Sequence, residues 1–551
     1  MRKFAYVFAV FLLSCSTGNK ITTRDVKGAE KLLGVAFTPE EHRTMLGYLN
    51  DNRAGYDSMR KSRLDYGLTP ATYFDPRPDH FTLRARQGAS DWRLPASVEL
   101  PKTDEEIAFL SVAELGVLLK SRKLSSARLT EIYLERLKKY DTLKAVVTIT
   151  EALALSQASL ADAELAAGKY RGPLHGIPYG IKDLFAVPGY PTTWGAEPYE
   201  KQVINETAVV AKKLKEAGAV LVAKLTSGAL ARGDVWFGGQ TKNPWDLNQG
   251  ASGSSAGSGA ATAAGLVGFS IGTETLGSIL APSARCGATG LRPSFGAVSR
   301  AGAMSLAWSM DKAGPICRTA QDCAIVFEVI RGSSGPDEKD RSVVDYPFFF
   351  NPGADLKAYK IGYFKKMFER DTARTRESCA SMLESMKALG AELHEIEAPD
   401  SVQFNSFDII LRAEAGAFFD ELVREHKDRM MSEQDEGSRA NSLRQSRFIS
   451  AVEYLQAYRH RKILIEKFNK VLAPYDFVVA PENGRNLSLI TNLTGHPAIA
   501  IQSGFDRNGR PNSFILIGNL YDEGPMLEAA YLLQQATEHE EKHPPYFLGN
   551  K

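Results

Sequence analysis

The side chains most able to do chemistry gather in one run, residues 250–290, which reads GASGSSAGSGAATAAG and then LVGFSIGTETLGSILAPSARCGATG. A serine becomes a useful nucleophile only when a base takes its proton. Gly253-Ser-Ser255-Ala-Gly257 matches the G-x-S-x-G turn that lifts a nucleophilic serine off a strand end, which would make Ser255 the nucleophile of an α/β-hydrolase-type esterase. That reading needs a strand just before the turn and a histidine and an acid after it. Residues 243–250, NPWDLNQG, are full of turn formers and read poorly as a strand, and His496, the nominated base, reads more simply as a loop histidine before Pro497. Gly250-x-x-Gly253 and Gly257-x-Gly259 suggest a phosphate cradle, but no G-K-[ST] follows and Thr262 stands where a dinucleotide motif needs its last glycine. A flexible Gly/Ser linker would not contain residues 260–271, which are apolar enough for a core helix and strand. Cys286, Cys317, Cys323 and Cys379 form no C-x-x-C pair and have no nearby histidine, so they read as core thiols and no metal is expected.

Such groups need a rigid frame. From residue 104 onward, helices capped by Ser111 and by Ser125 or Ser126 are followed by an Ala/Leu/Glu-rich helix up to Gly168. Short apolar runs at 177–181, 219–225, 266–271 and 477–480 read as strands, and a helix over 207–217 stops at Gly218. Residues 370–470 read as mostly helical and charged. Strands alternating with helices predict an α/β fold. No fixed-period repeat is evident. The expected organisation is a leader at 1–14, a tether and helical extension at 15–103, and one catalytic domain at 104–545. Within the extension, Pro39 opens a helix through Arg60 and residues 74–79 read as loop.

The two Gly/Ser clusters, together with Gly176-Ile-Pro-Tyr-Gly-Ile-Lys182-Asp183 upstream, resemble the amidase signature family. The matches are Lys182 in the G-[IV]-P-x-x-[IV]-K-D segment, Ser254 in the first serine cluster and Ser278 in the second. Asn243-Pro-Trp245, Thr289-Gly-Leu-Arg-Pro293, Val298-Ser-Arg300, Ser309-Met-Asp-Lys-Ala-Gly-Pro315 and Asn492-Leu-Thr-Gly-His-Pro497 extend the resemblance over roughly residues 104–540. It implies a large mixed, twisted β-sheet sandwiched between helices. It also implies a Ser–Ser–Lys catalytic system without cofactor, with a cis peptide before Ser254 and an oxyanion hole of backbone N–H groups at Thr275, Leu276, Gly277 and Ser278.

Chemically, such a system replaces histidine with a desolvated lysine. Burial favours the neutral amine and makes it a usable base. On the resemblance, Ser254 relays the proton and Ser278 attacks the amide carbonyl to form an acyl-enzyme. The sequence departs from the commoner pattern at Glu274 and Leu276, and it has Leu280 where many relatives carry an arginine two residues after the nucleophile. Leu280 argues against a small dicarboxylic half-amide and towards a neutral or apolar substrate group. Asp311 matches an acid near the substrate amine in the family and reads equally well as a structural carboxylate.

The N-terminus opens with Arg2 and Lys3, an apolar run at 4–13 too short to span a bilayer, and then Ser14-Cys15. This resembles a bacterial lipoprotein signal, with Cys15 as the lipidated first mature residue and a cell-envelope location. Lys and Arg number 67 against 65 Asp and Glu in 551 residues, a balance that gives no basic surplus for nucleic acid. The leading expectation is an envelope-anchored amidase acting on a small-molecule or peptide amide. The alternatives are the glutaminase (A) subunit of a Glu-tRNA(Gln) amidotransferase, the Ser255 esterase, and a non-catalytic binding lipoprotein.

Overall fold

The structure is a computed structural model and describes residues 20–84, 86, 88–399, 404–482, 484 and 486–549. Cys15 and the expected leader lie outside the described residues. Of the described residues, those up to Leu68 form one compact unit and those from Thr69 onward another. In the first unit the helices Thr23–Leu33 and Pro39–Met59 each begin with a capping box, Thr22 with Asp25 and Thr38 with Glu41. Pro39 takes the first-turn position where its missing N–H costs nothing. Glu30 and His42 join the two helices at 2.7 Å.

Sequence texture changes at residue 104, but packing changes at Leu68/Thr69. Phe74 lies edge-on to Phe295 at 5.1 Å, Arg86 pairs with Asp522 at 2.5 Å, and Trp92 stacks on Phe350 at 6.0 Å. Residues 69–103 therefore belong with the second unit. They hold it through a few anchors set in aperiodic chain, and hydrophobic patterning does not register such anchors.

Among the described residues, eleven strands build the main sheet. They are β1 (Val146–Ile149), β2 (Pro178–Lys182), β3 (Val220–Leu225), β4 (Phe269–Glu274), β5 (Thr289–Arg292), β6 (Lys312–Cys317), β7 (Lys360–Tyr363), β8 (Glu392–Glu395), β9 (Phe477–Pro481), β10 (Ala498–Phe505) and β11 (Pro511–Gly518). Their order is β1-β3-β2-β4-β6-β5-β10-β11-β9-β7-β8. β2 pairs parallel with both β3 and β4, whereas β6 runs antiparallel to β4 and β5. The sheet is mixed, and helices cover both faces, as the resemblance implied. Central strands are buried along their whole length, which is why they read as continuous apolar runs rather than as alternations.

Three helices position the site: α1 (Ala256–Ala263), α2 (Leu280–Cys286) and α3 (Leu487–Thr494). All eight residues of α1 are small and buried. A Cβ at Gly272 of β4 would stand 2.8 Å from the Ser255 hydroxyl, so glycine there lets the start of α1 lie close against the strand. Contrary to the sequence reading, part of 243–250 is extended: Asp246–Gly250 pairs with Lys242–Asn243 in a separate two-stranded ribbon. That ribbon is closed by the turn formers that made the segment look like loop, and it is not a strand of the main sheet.

Candidate active site

Topology brings the site together at one end of the sheet. β2 ends at Lys182, and β4, parallel to it and adjacent, ends at Glu274. β6 runs the other way and begins opposite Glu274 at Lys312, which places Asp311 at the same end. The start of α1 supplies Ser254 and Ser255. The Gly253–Ser254 peptide bond is cis, as the resemblance implied.

Lys182 is fully buried. Its ammonium donates to Ser254 Oγ at 2.8 Å, Thr273 Oγ1 at 2.9 Å and Ser255 Oγ at 3.0 Å. Burial, opposed by the negative charges of Asp311 and Glu274, brings its pKa down to about 7. Asp183 is engaged elsewhere, in a buried pair with Lys224 at 2.7 Å and a bond from the Thr193 N–H. Lys182 at the end of β2 and Asp183 just past it thus serve separate partners.

Ser278 stands beside this group. Its carbonyl accepts from the Ser255 N–H at 3.2 Å, and the residue is buried, with 8% exposure. Among the described residues no hydrogen bond joins the Ser254 and Ser278 hydroxyls. The turn from Thr275 to Ser278 presents backbone N–H groups that donate to no protein acceptor among the described residues. Gly277 takes φ +82°, the left-handed conformation that favours glycine, and Leu276 is 38% exposed.

What holds this turn was not read from the sequence. The Glu274 carboxylate accepts from the Ile279 and Leu280 N–H groups at 2.9 and 3.0 Å. It also takes Arg292 at 2.7 Å and the Asn492 amide at 2.8 Å. Burial opposes its charge, but Arg292 and the Leu280 N–H outweigh that and hold the carboxyl at about 2. The departure to glutamate thus gives the side chain that clamps the turn following Ser278. Arg292 and Asn492 lie inside two of the resembling segments, which was the available signal. Thr273, the third partner of Lys182, lies in the segment that carries Ser278, but its bond to the lysine was not read from it.

Asp311 accepts from Thr275 Oγ1 at 2.5 Å and from the Leu306 and Ala307 N–H groups at 2.7 and 3.1 Å. Burial raises its pKa despite these bonds. Of its two open readings, these bonds favour the structural carboxylate, one that ties Thr275 to the 306–307 backbone. Leu280 is buried and lines a cavity beside Gly277.

Ser255 is fully buried and its hydroxyl is saturated. It accepts from Lys182 and from the Thr273 N–H at 3.1 Å, and donates to the Thr273 carbonyl at 3.0 Å. His496 is buried elsewhere, bonded to Thr494 Oγ1 at 2.9 Å and edge-on to Phe468 at 4.9 Å. Burial, reinforced by Arg292, lowers its pKa to about 3. Among the described residues the elbow reading therefore finds neither a free hydroxyl nor its nominated histidine base in contact with it. Cys286, Cys317, Cys323 and Cys379 are buried free thiols, consistent with their reading as core residues.

Comparison with known proteins agrees with this geometry. The family model described as Amidase matches residues 128–486. The glutamyl-tRNA(Gln) amidotransferase A subunit of Methylococcus capsulatus is 33% identical over 481 residues, covering 79% of this chain and 98% of that protein. Among solved structures, the native peptide amidase from Stenotrophomonas maltophilia superposes with a TM-score of 0.70 at 25% identity, over 80% of this chain and 99% of that one. An amidase family protein from Bacillus anthracis str. Ames gives 0.71 at 26% identity, over 80% and 93%.

Proposed function

This chain belongs to the amidase signature family, whose chemistry is amide hydrolysis, and we propose that it cleaves a carboxylic or peptide amide to acid plus ammonia or amine through an acyl-enzyme on Ser278. The observation that carries the reading is the Lys182–Ser254 bond at 2.8 Å around a buried lysine held at about 7. Neutral Lys182 accepts the Ser254 proton while Ser254 takes that of Ser278. Ser278 Oγ then bonds to the carbonyl carbon, and the carbonyl oxygen takes the negative charge beside the N–H groups of 275–278. The relay runs back to protonate the leaving nitrogen and the C–N bond breaks. Water, losing its proton to the same relay, adds to the ester and releases Ser278. Relay contacts such as that between Ser254 and Ser278 commonly close only around substrate.

Ammonia or amine release from a panel of primary amides, peptide amides, anilides and esters tests the reading. Ser278→Ala and Lys182→Ala should each abolish amide hydrolysis in a folded protein. Full activity in Ser278→Ala would sink it.

The glutaminase reading has one specific observation in its favour: the curated relatives at 31–34% identity are amidotransferase A subunits. Against it stand Leu280 in place of the arginine and the lipoprotein-like leader, since an enzyme outside the cytoplasm has no charged tRNA to amidate. We place the protein in the cell envelope, anchored through lipid on Cys15. Fractionation of cells decides between the two.

A further inference from the structure

A cavity of about 650 Å³ opens on the second unit, and none of Lys182, Ser254 and Ser278 lines it. Its size falls in the range of small-molecule sites, roughly 300–1,000 Å³. The walls are largely aromatic. Phe74, Trp308, Tyr454 and Tyr458 line it, and so do Tyr73 and Leu455, which stay 66% and 61% exposed. Tyr73 and Phe74 precede residue 128, where the match to the family model begins, so that match does not supply these two walls. Phe74 is fixed on both sides: it lies edge-on to Phe295, and the Arg461 guanidinium stands 3.4 Å from its ring centre. The acids of the wall are already engaged. Glu414 accepts from the Ser309 N–H at 2.9 Å and from the hydroxyls of Ser309, Tyr458 and Tyr454 at 2.7, 2.7 and 3.0 Å. Asp340 pairs with Arg300 at 2.8 Å. Arg341 differs: it lines the cavity, is exposed, and makes no hydrogen bond or ion pair among the described residues.

Aromatic surface left in water is unfavourable, and exposed apolar side chains grouped around a cavity mark a binding site. A flat ring laid among Phe74, Trp308 and Tyr458 removes that surface from water and adds ring-to-ring attraction. Because Asp340 and Glu414 already have their partners, the charge left to meet a ligand is the positive one on Arg341. We propose that this cavity is a binding site, separate from the Ser–Ser–Lys group, for an aromatic amphiphile carrying one anionic group, with its rings among the aromatic walls and its anion against Arg341. A carboxylate or sulfonate takes the guanidinium as a bidentate partner. The site stands on its own residues and does not depend on amide hydrolysis.

The test titrates the full chain with two dyes, 8-anilinonaphthalene-1-sulfonate and N-phenyl-1-naphthylamine, which share one ring system and differ by the anion. Both brighten in apolar surroundings, so fluorescence reads their binding. Wild type should bind one molecule of the sulfonate per chain. Arg341→Gln should weaken the sulfonate by about fivefold, the size of one exposed ion pair, and leave the neutral dye unaffected. Ala417→Trp fills the cavity from an exposed wall position, and Leu455→Asp puts a negative charge on another. Each should weaken both dyes by about tenfold or more. All three substituted positions are exposed, so the variants keep the fold. Equal losses of the two dyes in Arg341→Gln, or no loss of the sulfonate, would overturn the proposal. So would binding that survives Ala417→Trp and Leu455→Asp, because the dyes then sit elsewhere on the chain. Competitive inhibition of amide hydrolysis by the sulfonate would overturn it too, since that places the dye in the catalytic site.

Discussion

As the proposed base, Lys182 must be neutral to take a proton, so the pH–rate profile should report its ionisation. With a pKa of about 7, about one molecule in eleven carries the neutral amine at pH 6 and about ten in eleven at pH 8. Catalytic efficiency should therefore rise about tenfold between pH 6 and 8 and then level off. A lysine at the ordinary value of about 10.4 would keep the rate rising tenfold per pH unit through pH 9. Initial rates of ammonia release well below KM, from pH 5.5 to 10, measure this. A rise that continues unbroken through pH 9 refutes the reasoning. Stability gives an independent check. Between about pH 7 and 10.4 the unfolded chain holds a proton on Lys182 that the folded chain has lost, so stability rises with pH across that window. The burial cost, about 5 kcal/mol at most, is fully present below pH 7 and gone above about 10.4. Lys182→Met removes that cost and also three hydrogen bonds, to Ser254, Ser255 and Thr273, each worth about 1 kcal/mol. The variant should therefore be about 2 kcal/mol more stable than wild type at pH 6 and about 3 kcal/mol less stable above pH 10. Urea titrations at both pH values follow the crossover. A variant less stable at every pH would show that the lysine carries no burial cost.

Ser255→Ala should keep Ser278-dependent turnover, lose about 1–3 kcal/mol of stability because the Thr273 N–H is left without its partner, and shift the rising limb of the profile to lower pH because Lys182 loses an acceptor. Abolished activity in this variant alone would restore the elbow reading. Glu274→Gln leaves Arg292 buried without its counter-charge and should cost about 3–5 kcal/mol in denaturant unfolding; a loss under 1 kcal/mol would mean the clamp is dispensable. Cys15→Ala should move the protein from the membrane to the soluble fraction of cells, and continued membrane association would exclude lipid on that residue as the anchor.

The sequence reveals most where function constrains short stretches of chain. Lys182, Ser254 and Ser278 sit in segments recognisable together, as an ordered set, and the strands that carry Lys182 and Glu274 are apolar enough to be placed within a few residues. The clamp on the turn is another matter. Glu274 meets Arg292 and Asn492 across 18 and 218 residues of chain, and no local pattern encodes such a meeting. Ser255 differs from Ser254 only in which bonds its hydroxyl makes, which sequence spacing does not distinguish. The ribbon at 242–250 and the anchors at Phe74, Arg86 and Trp92 were missed for a related reason. Short ribbons and single anchoring side chains leave no periodicity.

The bond from Asn492 to Glu274 also sets a timetable. A ribosome adding about 5–20 residues per second needs roughly 10–45 s to extend the chain from the glutamate to the asparagine. For nearly all of that interval Ser278 and Lys182 have already been made, but the clamp on the turn lacks one of its members. β10, which flanks β5 and Arg292, is made later still. On the proposed assignment an unfinished chain thus carries every side chain of the Ser–Ser–Lys system without a completed clamp, and the turn is fully held only once the last strands of the sheet are made.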